Sequence, residues 1–390
     1  MTVAVCYAPE LAAYRFGGGH PMRPERYALA IDLARAWGLL EGSGTRGAAV
    51  WAPEPASDDD LALFHSRDLI AAVKEAGSNP LAADARYGIG EGDTPAFLGM
   101  HEVSARIVGA TCAAVDGVAG GRVGRTFSPA GGLHHAHACA CAGFCVYNDC
   151  AVAIARLTRE HPGTRVAYVD VDAHHGDGVQ EAFYERADVL TLSVHESGRY
   201  LYPGTGGARD VGEGPGRGYA LNVPLPPYSG PEQYVAVFDE VMAPAVRAFR
   251  PDIIIAQLGG DSHHADPLTH LCQTVGGHVT LTRSIAALAD EVCSGRLAAC
   301  GGGGYEPFSV VPRMWAAAIA VLLGEAVPDE LPQAWLERSN AAAGWDRAPA
   351  TRTLEDEDPR DAEQLELARR GTRVAIEAAR AASPLLAGGA

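Results

Sequence analysis

Three short, mostly apolar runs constrain the fold of this chain more than any other feature of its sequence. They are VAYVDV at 166–171, VLTLSV at 189–194 and IIIAQL at 253–258. The runs are rich in β-branched residues and lack the polar alternation of a strand with one face in water. They are therefore typical of parallel strands that are covered on both faces. A weaker strand is expected near Leu297.

Helix-like patterns lie between these runs. They span roughly 98–118, 148–160, 231–249, 277–295 and 308–323. Strands that alternate with helices predict an α/β fold, in which a mostly parallel central sheet is flanked by helices.

The domain organisation follows from a change in composition near Pro328, because 390 residues alone allow one large domain or two to three smaller ones. We expect a main domain over 1–325 and a C-terminal extension over 326–390. The extension reads as irregular chain, then a helix over about 360–382 and a mobile tail from Ser383. It could bury too little apolar surface to fold alone, so we expect it to pack on the main domain.

The formal net charge of −17 argues against a protein that binds nucleic acid through phosphate contacts. No apolar run is long enough to span a membrane, and MTVAVCYAPE does not resemble a signal peptide. We therefore expect a cytoplasmic protein with no nucleic-acid or membrane partner. The sequence leaves its oligomeric state open.

Metal-competent side chains follow two of the predicted strands. Asp172 and His174 are one residue apart at the end of VAYVDV, so they leave the same face, and Asp261 follows IIIAQL. A catalytic zinc takes three protein ligands and keeps one position open. The alternative is that the aspartates cap helices and the histidine packs in the core. The density of polar groups over 170–177 disfavours it, because burying them unpaired would cost several kcal/mol each.

The adjacent pair His134-His135 could supply the general base that metal-assisted hydrolysis needs. One ring can take a proton from water while the other stays charged or donates to the leaving amine, if a carboxylate orients each ring. Asp170 and Asp177 are available for that role. The run 301–304 lacks the ending of a phosphate-binding loop, so we interpret it as a loop that presents Tyr305 as a donor to an oxyanion.

Several motifs together resemble the histone deacetylase superfamily over roughly residues 10–325. They are GHPMRPER (19–26), HSRDLI (65–70), GEGDTPAF (90–97), GGLHHAHACACAGFCVYND (131–149), VAYVDVDAHHGDGVQEAFY (166–184), YPGTG (202–206), QLGGDSHHADPL (257–268) and GGGGY (301–305). AGGLHHA, in place of PPGHHA, is most similar to the bacterial acetoin-utilisation deacetylases and their class I relatives. The resemblance implies a single arginase-like α/β domain with a sheet of about eight strands.

The resemblance also implies a role for each matching residue. It implies zinc ligands (Asp172, His174, Asp261), catalytic residues (His134, His135, Asp170, Asp177, Tyr305) and substrate-binding residues (Asp93, Gly143, Phe144, Tyr202, Leu268, Gly303). Two structural potassium or sodium sites are implied as well, the first formed by Asp170, Asp172, His174, Ser193 and Val194, and the second by Phe183, Arg186, Val189 and Tyr219. The sequence departs from the family at Leu69, Tyr202 and the pair His263-His264.

The implied activity is zinc-dependent hydrolysis of an acetyl amide, with N6-acetyl-lysine on a protein such as an acyl-CoA synthetase as the substrate. Acetylated polyamines or other small amides are an alternative. Two further hypotheses are a dinuclear manganese ureohydrolase and a non-catalytic binder of acyl-lysine. His175 and His263 stand where a second metal would need aspartate, and the retained ligands and Tyr305 disfavour a binder. Iron could replace zinc at such a site.

Overall fold

The computed structural model describes residues 2–41, 47–90, 92–344 and 354–386. Eight strands form one sheet in the order β2-β1-β3-β8-β7-β4-β5-β6. Every ladder between neighbouring strands is parallel. The structure thus confirms an α/β fold with an eight-stranded sheet, and the sheet is entirely parallel.

The strands are β1 (Val3–Cys6), β2 (Ala49–Trp51), β3 (Arg125–Ser128), β4 (Val166–Asp170), β5 (Val189–Glu196), β6 (Ala220–Leu225), β7 (Ile253–Gln257) and β8 (Leu297–Cys300). The helices are α1 (Glu25–Ala36), α2 (Asp58–Leu61), α3 (Arg67–Ser78), α4 (Met100–Ala119), α5 (Asp149–Glu160), α6 (Asp177–Phe183), α7 (Pro231–Val237), α8 (Ala243–Phe249), α9 (Val275–Cys293), α10 (Val310–Leu323), α11 (Gln333–Ala343) and α12 (Ala362–Ala382).

The three apolar runs form β4, β5 and β7, and every residue of these strands is buried. β7 and β4 are neighbours in the interior of the sheet, where helices cover both faces, so their sequences need no polar alternation. The predicted weak strand is β8. The sequence did not single out β1, β2, β3 and β6, because these are short or interrupted by polar residues.

The predicted helices correspond to α4, α5, the α7–α8 segment, α9 and α10. The predicted helical stretch over 231–249 is helical throughout, and a π-helical turn over Phe238–Met242 joins α7 to α8. Pro244 in the first turn of α8 has no N–H to donate, and the wider turn accommodates that missing hydrogen bond.

The prediction that the extension begins as irregular chain is wrong, because α11 lies there. The buried residues Trp335, Leu336, Ser339 and Ala343 lie on one face of this helix, and the Trp335 indole donates a hydrogen bond to Leu29 O (2.9 Å). α12 packs on β6 and α7. Residues 345–353 of the extension and residues 387–390 of its predicted mobile tail lie outside the described residues. Ser383, at which the predicted tail begins, is buried.

Four adjacent strands position the polar motifs. β3, β8, β7 and β4 are consecutive in the sheet, and each is followed by one of the segments that carry candidate site residues. Because the strands are parallel, all four segments emerge at the same edge, where ligands bind in open α/β sheets. No helix in the described part of the chain is both long enough and apolar enough to cross a bilayer.

Candidate active site

Asp172, His174 and Asp261 converge at this edge of the sheet. Their ligand atoms all lie within 4.8 Å of one another, and His174 Nδ1 is 2.9 Å from Asp261 Oδ2 and 3.2 Å from Asp172 Oδ1. All three side chains are buried. The structure thus brings together the three residues that the sequence predicts as metal ligands.

The chemistry of this donor set fits a divalent cation. Two fully buried carboxylates face each other, and burial together with the Asp172 charge raises the pKa of Asp261 above its usual range. A bound cation would remove that repulsion, and one imidazole with two carboxylates suits zinc or iron. Backbone also closes tightly on the site, since a Cβ at Gly303 would lie 1.9 Å from Asp261 Oδ2.

Neighbouring polar groups fix the ligand carboxylates. The Gln257 side-chain amide donates to Asp172 Oδ2 (2.6 Å), and so does the Gly303 N–H (2.8 Å). The Ala173 N–H donates to Asp261 Oδ1 (2.8 Å). Such hydrogen bonds hold ligand oxygens in place before a metal arrives.

His134 and His135 lie beside the candidate metal ligands as a buried, carboxylate-oriented pair. His134 Nδ1 is 2.7 Å from Asp170 Oδ2, and His135 Nδ1 is 2.7 Å from Asp177 Oδ1. The two Nε2 atoms are 3.1 Å apart, so one proton can lie between the rings. Asp170 and Asp177, the two carboxylates that the sequence predicts as orienting groups, thus each contact one ring.

The two imidazoles differ in basicity. Burial alone would lower the pKa of His134, but the Asp170 and Asp172 carboxylates outweigh it and raise the pKa to about 9. Burial and the positive charge of His134 lower the pKa of His135 to about 4. The pair therefore combines a protonated ring with a neutral ring whose Nε2 can accept a proton.

A cavity of about 260 Å³ leads to this centre. It is lined by Asp93, His135, Gly143, Phe144, His174, Leu201, Tyr202, Leu268 and Tyr305. Aromatic rings form much of its wall: the Phe144 and Tyr305 rings meet edge to face at 5.5 Å between centroids. Tyr202 stands 5.1 Å from the His135 ring in the same way. Five of the six predicted substrate-binding residues line this tunnel.

Gly303 is the one predicted substrate-binding residue that does not line the tunnel. Its N–H donates a hydrogen bond to the Asp172 carboxylate instead. At the mouth, Asp93 is exposed and its Oδ2 accepts a hydrogen bond from the Gly143 N–H (3.0 Å). Gly143 and Phe144 both have positive φ, 53° and 65°. Phe144 holds this uncommon conformation with its carbonyl bonded to the Tyr14 hydroxyl (2.6 Å).

Tyr305 follows the glycine run after β8 and is 9 % exposed, within the tunnel wall. Its N–H donates to Asp266 Oδ2 (2.7 Å), which joins it to the loop that carries Asp261. Burial raises the pKa of the Tyr305 phenol, and the charges of Asp261 and Asp172 raise it further. The phenol therefore stays protonated and can donate a hydrogen bond.

The predicted monovalent-cation residues fall in two places. Asp170 and Ser193 are paired across β4 and β5 next to the candidate metal ligands. In the second set, the Phe183 carbonyl accepts from the Arg186 N–H (3.0 Å), and the Tyr219 carbonyl accepts from the Thr191 N–H (2.9 Å). Both sets remain predictions.

Four residues near the site were not predicted. Gln257 could have been noticed, because it is the polar residue that ends an apolar strand. Leu201 lines the tunnel, Tyr14 supports Phe144, and the His20 ring lies 4.5 Å from the Phe144 ring. Contacts that join residues more than one hundred positions apart leave no local sequence signal.

A larger concavity of about 780 Å³ lies between the 197–210 segment and α12. None of the candidate metal ligands or catalytic histidines lines it. The narrower tunnel is therefore the candidate substrate site.

This chain is similar to known proteins of one family. The family model for the histone deacetylase domain matches residues 20–322. The acetoin utilization protein AcuC of Bacillus subtilis (strain 168) is 40% identical over 332 residues, 85% of this chain and 84% of that protein. AcuC of Staphylococcus xylosus is 37% identical over 340 residues, 86% of this chain and 87% of that protein.

Two solved structures are similar throughout. A histone deacetylase homologue complexed with SAHA has a TM-score of 0.85 at 30% sequence identity, covering 97% of this chain and all of that one. A homologue from Aquifex aeolicus has a TM-score of 0.81 at 29% identity, covering 95% of this chain and all of that one.

Proposed function

Because this chain belongs to the histone deacetylase family, we propose that it is a zinc-dependent deacetylase that hydrolyses the N6-acetyl amide of lysine on a protein and releases acetate. One observation carries the proposal: a narrow tunnel with aromatic walls ends at three convergent ligands, beside two carboxylate-oriented histidines and a tyrosine.

The tunnel suits an extended acyl-lysine side chain. Phe144 and Tyr202 would contact the methylene groups, and Leu268 adds a further apolar wall. The exposed Asp93 carboxylate at the mouth would accept hydrogen bonds from backbone amides of a protein substrate. The ammonium groups of an acetylated polyamine could also donate to this carboxylate, so the two substrate classes must be compared directly.

Asp172, His174 and Asp261 would hold the zinc, which when bound supplies a Lewis acid that polarises the acetyl carbonyl and makes water a better nucleophile. His135 Nε2 would accept the proton of the attacking water, since its Nδ1–H is directed at Asp177. His134, held by Asp170, would remain protonated and donate to the leaving amine. The Tyr305 hydroxyl would donate a hydrogen bond to the oxyanion that develops on the acetyl group.

The dinuclear ureohydrolase hypothesis finds little support in the positions of His175 and His263. His175 lies against Thr205 and Gln180, and His263 against Asp356, so neither ring is directed at the three ligands. We therefore propose one catalytic metal per chain. The same donor set would accept iron, so the metal content of the purified protein tests this part of the proposal.

The test measures release of free amine from an acetyl-lysine peptide and from an acetylated polyamine, after removal of metal by a chelator and reconstitution with zinc or iron. We expect peptide turnover that the chelator abolishes and zinc restores. Tyr305→Phe should lower kcat by roughly 100-fold to 1000-fold with metal content unchanged. Tyr200→Phe, on an exposed ring that does not line the tunnel, is the matched control and should behave as wild type.

Turnover of the polyamine alone would reassign the substrate to small amides. Normal activity in Tyr305→Phe would remove the tyrosine from the mechanism. Tight zinc binding without turnover of either substrate would favour an acyl-lysine binder over an enzyme.

A further inference from the structure

We propose that the C-terminal extension is part of the support of the metal site, with Asp356 as a positioning residue for the loop that carries Asp261. The inference rests on the proposed metal site and goes beyond it, because Asp356 lies outside the residues that match the family model. It also gives a role to His263, one of the two adjacent histidines that depart from the family pattern.

His263 lies at the centre of the turn that carries Asp261 and Asp266. Its N–H donates to Gly260 O (3.4 Å), and its carbonyl accepts from the Asp266 N–H (2.9 Å). Its ring Nδ1 accepts from the Ala265 N–H (3.1 Å). The position of the His263 ring therefore fixes the turn, and with it a candidate ligand and the carboxylate that bonds the Tyr305 N–H.

Asp356 holds that ring from the extension. Its Oδ2 accepts a hydrogen bond from His263 Nε2 (3.0 Å) and one from the Val275 N–H at the start of α9 (3.0 Å). Its Oδ1 accepts from the Arg313 guanidinium in α10 (2.8 Å). We call these four residues the Asp356 clasp. His263 and Arg313 are 1 % and 3 % exposed, and the Asp356 side chain is 9 % exposed.

The Asp356 clasp joins the two segments on which the site depends. Arg313 belongs to the helix that follows the Tyr305 loop, and His263 belongs to the Asp261 loop. Arg313 also donates to Leu354 O (3.0 Å), so the extension contacts this cation twice. Without the Asp356 carboxylate, a buried guanidinium would lose its counter-ion and a buried imidazole its partner, a loss that buried polar groups tolerate poorly.

The grouping of His263, His264 and Asp356 could also suggest a second metal site, because their ligand atoms lie within 4.8 Å of one another. Two contacts argue against it. Because His263 Nδ1 accepts a backbone N–H, the neutral ring carries its proton on Nε2, where a metal would need a lone pair. The Arg313 cation already occupies the other Asp356 oxygen.

The first test compares Asp356→Asn with Asp358→Asn. An asparagine at 356 would direct its amide NH2 at one of the three donors that Asp356 now accepts from: His263, Val275 or Arg313. Asp358 is the matched control, because it is a partly exposed partner of Arg360 in the same extension. We expect Asp356→Asn to weaken zinc binding by the apoprotein about 10-fold, measured by competition with a chromophoric chelator. kcat on the acetylated peptide should fall about 10-fold, with KM within about 2-fold of wild type. Asp358→Asn should leave all three values unchanged.

A second variant, His263→Asn, tests the same contact from its other side if Asp356→Asn folds poorly. The Asn carbonyl can still accept from the Ala265 N–H, so the local turn can form, but it cannot reach Asp356, so the extension no longer holds the turn in place. We expect the same loss of zinc affinity and kcat. The visible spectrum of the cobalt-substituted protein should change in both variants, which a purely structural role would not produce.

Wild-type zinc affinity and kcat in folded Asp356→Asn would overturn the proposal, even if its melting temperature fell. Two zinc ions per wild-type chain and one per Asp356→Asn chain would overturn it in favour of a second metal site. The affinity measurement needs no substrate. A failure of the proposed deacetylase activity therefore stays distinguishable from a failure of this inference.

Discussion

Gly143 shows how a single backbone position can control the candidate base. A Cβ at Gly143 would lie 2.4 Å from His135 Cδ2, so Gly143→Ala must push that ring away from its place beside Asp177. We expect kcat to fall by roughly 100-fold, as a displacement of about 1 Å in a catalytic group can cause. Steady-state kinetics on the acetyl-lysine peptide measure it.

Gly163→Ala is the matched control, because Gly163 also has positive φ (92°) but open space around its Cβ. It should lose stability from backbone strain and retain kcat. If both variants lose kcat equally, strain and not displacement of His135 is responsible.

His65 predicts a pH dependence of stability that is separate from catalysis. Its Nδ1–H donates to His137 O (3.0 Å), and its Nε2 accepts from the Asn148 N–H (2.9 Å), so the folded protein holds a neutral ring. Burial lowers the pKa of His65 from its usual 6.5 to about 4. Its contribution to stability is therefore present above pH 6.5 and is lost as the pH falls towards 4, because the unfolded chain binds the proton first.

His65→Gln keeps an acceptor for the Asn148 N–H and cannot titrate. Between pH 7 and pH 5, its free energy of unfolding should fall by about 2 kcal/mol less than that of wild type. Urea unfolding at both pH values measures this difference, and His161→Gln, at an exposed position, should follow wild type. Parallel pH profiles for His65→Gln and wild type would refute this assignment.

At the scale of secondary-structure elements, Asp149 at the start of α5 joins three parts of the fold. Its carboxylate accepts from the Thr111 hydroxyl of α4 (2.5 Å) and from the N–H groups of Gly132 (2.9 Å) and Leu133 (2.7 Å). Gly132 and Leu133 directly precede the histidine pair. The position of the pair after β3 therefore depends on the start of a neighbouring helix.

Asp149→Asn would direct an amide N–H at one of these donors. We expect the free energy of unfolding to fall by roughly 1–3 kcal/mol and kcat to fall with it, measured by urea unfolding and peptide turnover. Asp68→Asn, an exposed change in the first turn of α3, should have no comparable effect. A stable and fully active Asp149→Asn would show that the backbone at Gly132 and Leu133 keeps its position without this carboxylate.

At the scale of the whole molecule, the extension shares the core of the domain. Trp335 of α11 is fully buried against Leu29, and Ile376 of α12 is 1 % exposed. α12 also packs on β6, the strand at one edge of the sheet. Removal of the extension would expose this edge and leave Arg313 without Asp356.

A chain that ends at Gly324 should therefore lose several kcal/mol of stability, since each large side chain removed from the core contributes about 1.5–3 kcal/mol. Thermal unfolding and light scattering measure the lower melting temperature and the association that an exposed edge strand favours. A truncated protein with the melting temperature and the association state of the full-length chain would show that the extension is an independent appendage. The division at residue 325 remains a prediction until then.

The sequence by itself determined the α/β class, the parallel sheet and the residues that the candidate centre gathers. Buried parallel strands require continuous apolar runs, and their carboxyl ends place Asp172, His174 and Asp261 at one edge. These signals are local, because each lies within one strand and the few residues after it.

Only the tertiary structure decided which distant segments complete the site. The order that makes β3, β8, β7 and β4 neighbours, the support of Phe144 by Tyr14, and the Asp356 clasp all join residues far apart in the chain. Such contacts follow from packing of whole elements against one another. The pattern of any single segment contains no record of the partner that it will meet.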